Sequence, residues 1–200
     1  MLGPIMSTDI HAAHDVSDEA DLQLLQDFVN TNDLEGGRDR LASPALLLAW
    51  LAERGLVEAD AAADLASHAR ALAIREGIRA LGRANNEEPL DVMRVAAMNE
   101  AAAAAPLTAS LRPVAGEGAW DLVPAATNVD AFLGRIMAIV IRAMADGSWS
   151  RIKACRNDTC RWLFFDQSRN RSGTWCSMAI CGSRMKARAY RARQREAASA

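Results

Sequence analysis

Cysteine is absent from the first 154 residues of this 200-residue chain, and lysine from the first 150. The first absence excludes a disulfide framework running through the body of the protein. The second leaves 11 arginines against 22 acids over residues 1–150, a net charge of −11, so the body is acidic. Histidine is scarce, and His11, His14 and His68 assemble no metal site. The most apolar run, 131–145, carries Arg135 and Arg142 and is too short to span about 30 Å of hydrocarbon, so no membrane segment is expected. The first twenty residues hold His11, Asp15, Asp18 and Glu19 and no apolar core segment. No secretory leader is therefore expected, and the protein is expected to be cytoplasmic. Repeats, low-complexity linkers, a glycine-rich phosphate loop and a nucleophile–base constellation are also missing, so an enzyme is not expected.

What is present is concentrated at the other end. Cys155, Cys160, Cys176 and Cys181 follow the spacing C-x4-C-x15-C-x4-C. Two short-spaced pairs separated by a loop long enough for a hairpin point to a tetrahedral all-cysteine site for one structural zinc ion. Four thiolates leave no open position for a catalytic water. Two disulfides, or buried free thiols, are the alternatives. Residues 151–200 hold 12 basic side chains against 3 acids, a net of +9. Four thiolates on one zinc ion add −2, leaving about +7. An acidic body joined to a basic module is a nucleic-acid-binding signature, against which stands a merely solvated charged helix.

Half of the chain is apolar and its net charge is −2, as expected of a globular protein with one sizeable domain and one small one. The expected fold is mainly α (α+β). A loose segment, 1–20, precedes a helical domain, 21–148, with one small β-hairpin; a four-cysteine finger of short strands and a basic helix fills 149–200. Helices are expected from Asp21, over 44–54 after Ser43-Pro44, over 59–84, over 91–105 and over 129–146 after Asn128. The helix over 44–54 is apolar nearly all round and should be buried. In the long helix Leu65, Ala69, Leu72, Ile74, Ile78 and Leu81 recur at helical intervals. Alternation in 107–113 and 119–123 around Gly116-Glu-Gly118 predicts the hairpin. A short strand over 149–155 would deliver the first cysteine ligand, and a second strand is expected over 162–166. Ser177 is a candidate cap for a turn holding Cys181, with the last helix starting near Met178 or at Ser183.

Several of these segments resemble a known family. Cys155-x4-Cys160, Trp162-Leu-Phe-Phe-Asp166, Arg171-Ser-Gly-Thr-Trp-Cys176-Ser-Met and Cys181-Gly-Ser-Arg184-Met-Lys resemble the CGNR zinc finger. Asp27-Phe-Val-Asn-Thr31 resembles the opening motif of the ABATE domain that usually precedes it. The match covers about 20–195, with its specific part in the finger. The resemblance implies a bacterial stress-induced transcription regulator, a description that is itself inferred. Ser183 stands where the signature has asparagine; zinc binding should survive, while any contact made by the longer amide would be lost.

In the last helix Arg184, Arg188, Arg191 and Arg195 form one stripe, with Lys186 and Arg193 also on the helix. Met185, Ala189 and Ala192 would pack on the finger's aromatics, of which Trp162, Phe164, Phe165 and Trp175 are expected to be core. Arg169 and Arg171 would clamp phosphates. DNA is the expected partner, with RNA as a substitute. In the body, Asn30, Thr31, Asn32, Arg38 and Arg75 are candidates for an anionic small-molecule effector, as are the faces carrying Arg79, Arg135 and Arg142. The bland alternative for all of them is caps and surface ion pairs. The body would sense that effector or form a homodimer. Two other readings stand beside DNA binding: a finger that docks an acidic protein, and a thiol–zinc redox switch.

Overall fold

Helix starts follow from capping side chains. Ser43 accepts from the Leu46 amide ahead of α2, Pro44–Ala52. Asp64 and Ser67 cap each other reciprocally at the start of α3, Leu65–Ala84. Asp91 opens α4, Val92–Ala102, and Asn128 opens α5, Val129–Asp146, which Gly147 closes in the left-handed conformation. Helix α1, Ile10–Val29, precedes them and α6, Ser183–Ala198, ends the chain. Three two-stranded antiparallel ladders complete the described elements: β1, Asn32–Asp33, with β2, Arg38–Asp39; β3, Leu107–Val114, with β4, Glu117–Pro124; and β5, Ile152–Ala154, with β6, Leu163–Phe165. This computed structural model describes residues 10–58, 60–114, 117–124 and 128–198. The fold is mainly α with small sheets, and no described helix is long and apolar enough to cross a membrane.

Several expectations are corrected. The helix expected from Asp21 begins at Ile10, because 11–20 contains neither glycine nor proline to interrupt α1; residues 1–9 lie outside the described residues. Helix α3 begins at Leu65 rather than near 59, since Asp64 caps it, and Leu65 is left 78% exposed. Ala69 is exposed too, and the buried stripe runs through Ser67, Ala71, Ile74 and Ile78. In α2, Leu47, Trp50 and Leu51 are buried but Leu46 faces out. The β1–β2 ladder was not expected, because two residues per strand are too few to show alternation. The expected turn residue Gly116 lies outside the described residues.

The core gathers where α1, α3 and α5 meet. Phe28, Trp50 and Phe132 form a triangle with ring centroids 5.2 to 6.2 Å apart. Around them Leu25, Ile74, Ile78, Leu133 and Ile136 are fully buried. Helix α3 is the central element, and from Ile74 to Gly82 it is covered on nearly every side. A Cβ at Gly82 would lie 2.6 Å from Leu163 Cδ1 and 3.1 Å from the Ala154 amide, so only glycine lets α3 reach the β5–β6 ladder.

That approach joins the two halves. Ile152, Ala154 and Leu163 belong to the same buried cluster as the body's helices. Asn30 pairs with Leu163 as a strand would, donating to its carbonyl at 2.9 Å and accepting from its amide at 2.7 Å. Asn85 donates to the carbonyls of Trp149 and Ile152, and Asn86 to those of Ala154 and Thr174. Arg79, 4% exposed, donates to Glu76, to the Val29 carbonyl at 2.6 Å and to the Arg161 carbonyl at 2.7 Å. Arg75, 3% exposed, holds Asp39 through two bonds and Glu76 through a third. Burial alone would push the Glu76 carboxyl up, but Arg79 and Arg75 hold it below the usual carboxylate range.

Arg79→Ala takes one of the two arginines from Glu76 and leaves two buried carbonyls without their donor, and should destabilise the whole protein by about 3 kcal/mol or more. Arg38→Ala, removing an exposed pair with Asp33, should change stability by less than about 0.5 kcal/mol. Denaturant melts followed by tryptophan fluorescence measure both, and equal effects would contradict this account.

Candidate metal centre and nucleic-acid interface

Asn157 builds the first knuckle. Its carbonyl accepts from the amides of Cys160 and Arg161, and its side chain accepts from Thr159. The reversal puts Arg161 in the left-handed region, φ 55°, where its carbonyl meets Arg79. The second knuckle starts at Cys176. Ser177 caps a π-helical turn, Met178–Gly182, that buries Cys181 and leads directly into α6 at Ser183. Both starting points expected for the last helix are thus used, one by the turn and one by the helix. Ser183 donates to the Met178 carbonyl, so the residue replacing the signature asparagine bonds back into the turn.

The four sulfurs lie within 4.8 Å of one another. Cys160 and Cys176 are 3.7 Å apart, as are Cys176 and Cys181. A tetrahedron with Zn–S bonds of about 2.3 Å has edges of about 3.8 Å, so these separations fit a shared zinc ion. No disulfide joins any of the four cysteines, which sets aside that alternative. Backbone amides of Cys176 and Asn157 bond to the Cys155 sulfur, the Trp162 amide to Cys160, and the Asn157 side chain to Cys181 at 3.8 Å. Among bare thiols, bonds from Cys160 and Cys176 pull the Cys155 pKa down to about 2, while the Cys160 and Cys176 thiols are pushed up by their bonds to Cys155. The site thus resists a second negative charge on its own, and a divalent cation removes that resistance. One structural zinc held by four thiolates is the arrangement these residues fit.

A buried ion pair that sequence reasoning missed stiffens the loop between the knuckles. Lys153 Nζ donates to Asp166 at 2.8 Å and to the carbonyls of Arg171 and Gly173. Asp166 also accepts from the amides of Ser168 and Gly173. Burial would raise the Asp166 carboxyl, but the Lys153 bond and the two amides hold it well below the usual range. The available signal was Lys153 itself: a lysine in a strand whose three residues are all buried needs a partner.

The basic residues divide into two groups. Lys153, Arg151, Arg156 and Arg161 serve internal bonds. Arg169, Arg171, Arg184, Lys186, Arg188, Arg191, Arg193 and Arg195 are exposed. Arg171 donates to Ser150, Arg184 pairs with Glu35 and Arg188 with Asp158. The expected apolar stripe on α6 is corrected: only Met185 is half-buried, while Ala189 and Ala192 are exposed. Trp162 is likewise exposed rather than core. The finger needs no aromatic core of its own because its sheet shares the body's.

Most of the body residues expected to face an effector bond within the fold. Asn30 binds Leu163, Asn32 reaches Glu76 at 3.4 Å, Thr31 is buried against Arg75, and Arg75 is spent on Asp39 and Glu76. Arg38 is exposed beside Asp33, and Arg135 and Arg142 both pair with Asp21. Apart from Arg38, these side chains bond to other parts of the fold. A cleft of about 830 Å³ lies elsewhere, between α1 and the finger, lined by Leu22, Gln23, Gln26, Phe164, Trp175 and Cys176 among others.

Residues 22–147 match the ABATE family, described as "putative stress-induced transcription regulator", and 151–194 match the CGNR zinc finger. The chain belongs to the ABATE family. Its finger is of the CGNR type, and no curated protein matches the chain.

Asp166→Asn leaves Lys153 buried without a counter-charge and should cost about 3–5 kcal/mol near neutral pH. Because the folded carboxyl titrates below its unfolded value of about 3.9, its stabilisation is complete above that value and disappears as pH falls through the folded pKa. The stability gap between wild type and Asp166→Asn should therefore shrink below about pH 4. Chemical melts at a series of pH values test this; a gap independent of pH would refute the assignment.

Proposed function

We propose that this ABATE-family protein is a zinc-dependent DNA-binding transcription regulator whose α6 contacts DNA and whose body takes an effector or a second copy of the chain. The observation that carries this reading is α6 itself. Its 16 residues include none that is buried, and it carries Arg184, Lys186, Arg188, Arg191, Arg193 and Arg195 against the single acid Glu196. A helix of that length extends about 24 Å, enough to follow a major groove for several base pairs. Zinc acts at its base by fixing Cys181, three residues before Arg184. Arg169 and Arg171, on the loop stiffened by Lys153 and Asp166, would meet phosphates flanking the groove. Phosphate contacts supply affinity, and an arginine reaching a guanine edge supplies discrimination.

An acidic protein is the second reading. It is favoured by Met178, Ile180 and Tyr190, which are all more than half exposed beside the same cations.

Selection from fragmented genomic DNA with zinc-loaded protein, against a chelated control, should enrich a defined site only when zinc is present. Replacing both Arg188 and Arg191 by alanine should weaken binding and lower the slope of log affinity against log salt by about two. Circular dichroism would verify that the fold is retained. Tight binding that survives both chelation and the double substitution would overturn the proposal.

A further inference from the structure

The four sulfurs are not equivalent. Cys155, Cys160 and Cys181 are 0%, 5% and 2% exposed, whereas Cys176 is half-buried and opens onto the cleft between α1 and the finger. Cys176 therefore has the greatest access of the four. It also stands between two potential resolving thiolates, Cys160 and Cys181, each 3.7 Å away.

We propose that Cys176 is a peroxide-reactive modification site, and that small hydroperoxides reach it through this cleft. The lining favours a neutral oxidant: Leu22, Phe164 and Trp175 are apolar, Gln23 and Gln26 are uncharged, and Glu19 repels anions. In the first step the Cys176 thiolate attacks the outer peroxide oxygen. An S–O bond forms, the O–O bond breaks, and the departing alkoxide or hydroxide takes a proton from water. Sulfur is oxidised by two electrons and the peroxide reduced. In the second step the Cys160 or Cys181 thiolate attacks the sulfenic sulfur, forming an S–S bond and releasing hydroxide, which is protonated to water. Closure needs the sulfurs to move from 3.7 Å to about 2.05 Å, with Cys176 paired to a neighbour already in contact. Two ligands are then lost to the metal. The turn Met178–Gly182, which follows Cys176 and supports α6, loses its anchor. This inference requires the four-thiolate zinc site but not DNA binding, and its readouts involve no DNA.

The test uses the full-length zinc-loaded protein treated with hydrogen peroxide. Zinc release is followed with a chromogenic chelator, and the first disulfide is located by peptide mass mapping. The expected first product joins Cys176 to Cys160 or Cys181. Gln23 lies exposed on the α1 wall of the cleft and is no zinc ligand, so Gln23→Trp narrows the cleft with all four cysteines in place. It should slow release by roughly tenfold while leaving zinc content and melting unchanged, as expected when access limits oxidation. A first disulfide that excludes Cys176 would overturn the proposal. So would wild-type release kinetics in a folded, zinc-loaded Gln23→Trp protein.

Discussion

A buried guanidinium that must find acceptors on separate segments constrains the rest of this molecule. Removing Arg79 from water costs several kcal/mol unless its N–H groups are satisfied. The acceptors are Glu76 on its own helix, the carbonyl ending α1 and the Arg161 carbonyl in the first cysteine knuckle. That last carbonyl is presented by a residue in the left-handed region, a conformation costing about 1–2 kcal/mol outside glycine. The knuckle sustains it through the Asn157 turn, and the turn is held by two cysteines directed at one metal. A continuous line of contacts therefore runs from the metal centre to the centre of α3. The finger is small and has few apolar residues of its own, so sharing the body's core gives it the burial that an isolated knuckle would lack.

Those features that one residue imposes on its neighbours were legible in the sequence. Ser43 and Asn128 cap because a short oxygen-bearing side chain meets an orphan amide, whereas Asp64, which caps by the same rule, was passed over for a start near 59. The zinc ligands were legible because their spacing is local and no other cysteine competes. The junction was not, because Asn30, Asn85 and Asn86 bind partners 64 to 133 residues away. An asparagine that imitates a strand looks in sequence like one that faces a ligand. Arg75 and Arg79 misled for a related reason: an arginine on a helix face signals solvent or a ligand until the neighbouring segments are seen to supply acceptors. The apolar stripe of α6 failed differently. Met185, Ala189 and Ala192 have helical spacing, but periodicity does not say whether anything lies opposite.

The exposed helix poses a stability problem that its charges sharpen. A helix of 16 residues with no buried face is marginal in water, even with the alanines that α6 contains. Arg184 and Lys186 lie in its first turn, where cations oppose the helix dipole. Arg184 and Arg188 repel each other at i,i+4, and so do Arg191 and Arg195, each by a few tenths of a kcal/mol. Two acids offset this where the helix begins: Glu35, from the β1–β2 turn of the body, meets Arg184, and Asp158, from the first knuckle, meets Arg188. Both pairs are exposed and individually weak. A polyanion laid along the helix would reverse these terms, neutralising the repelling arginines and favouring continued helix. The charges that disfavour α6 in isolation are therefore those through which a polyanion would order it, coupling affinity to helix formation rather than to a preformed rod.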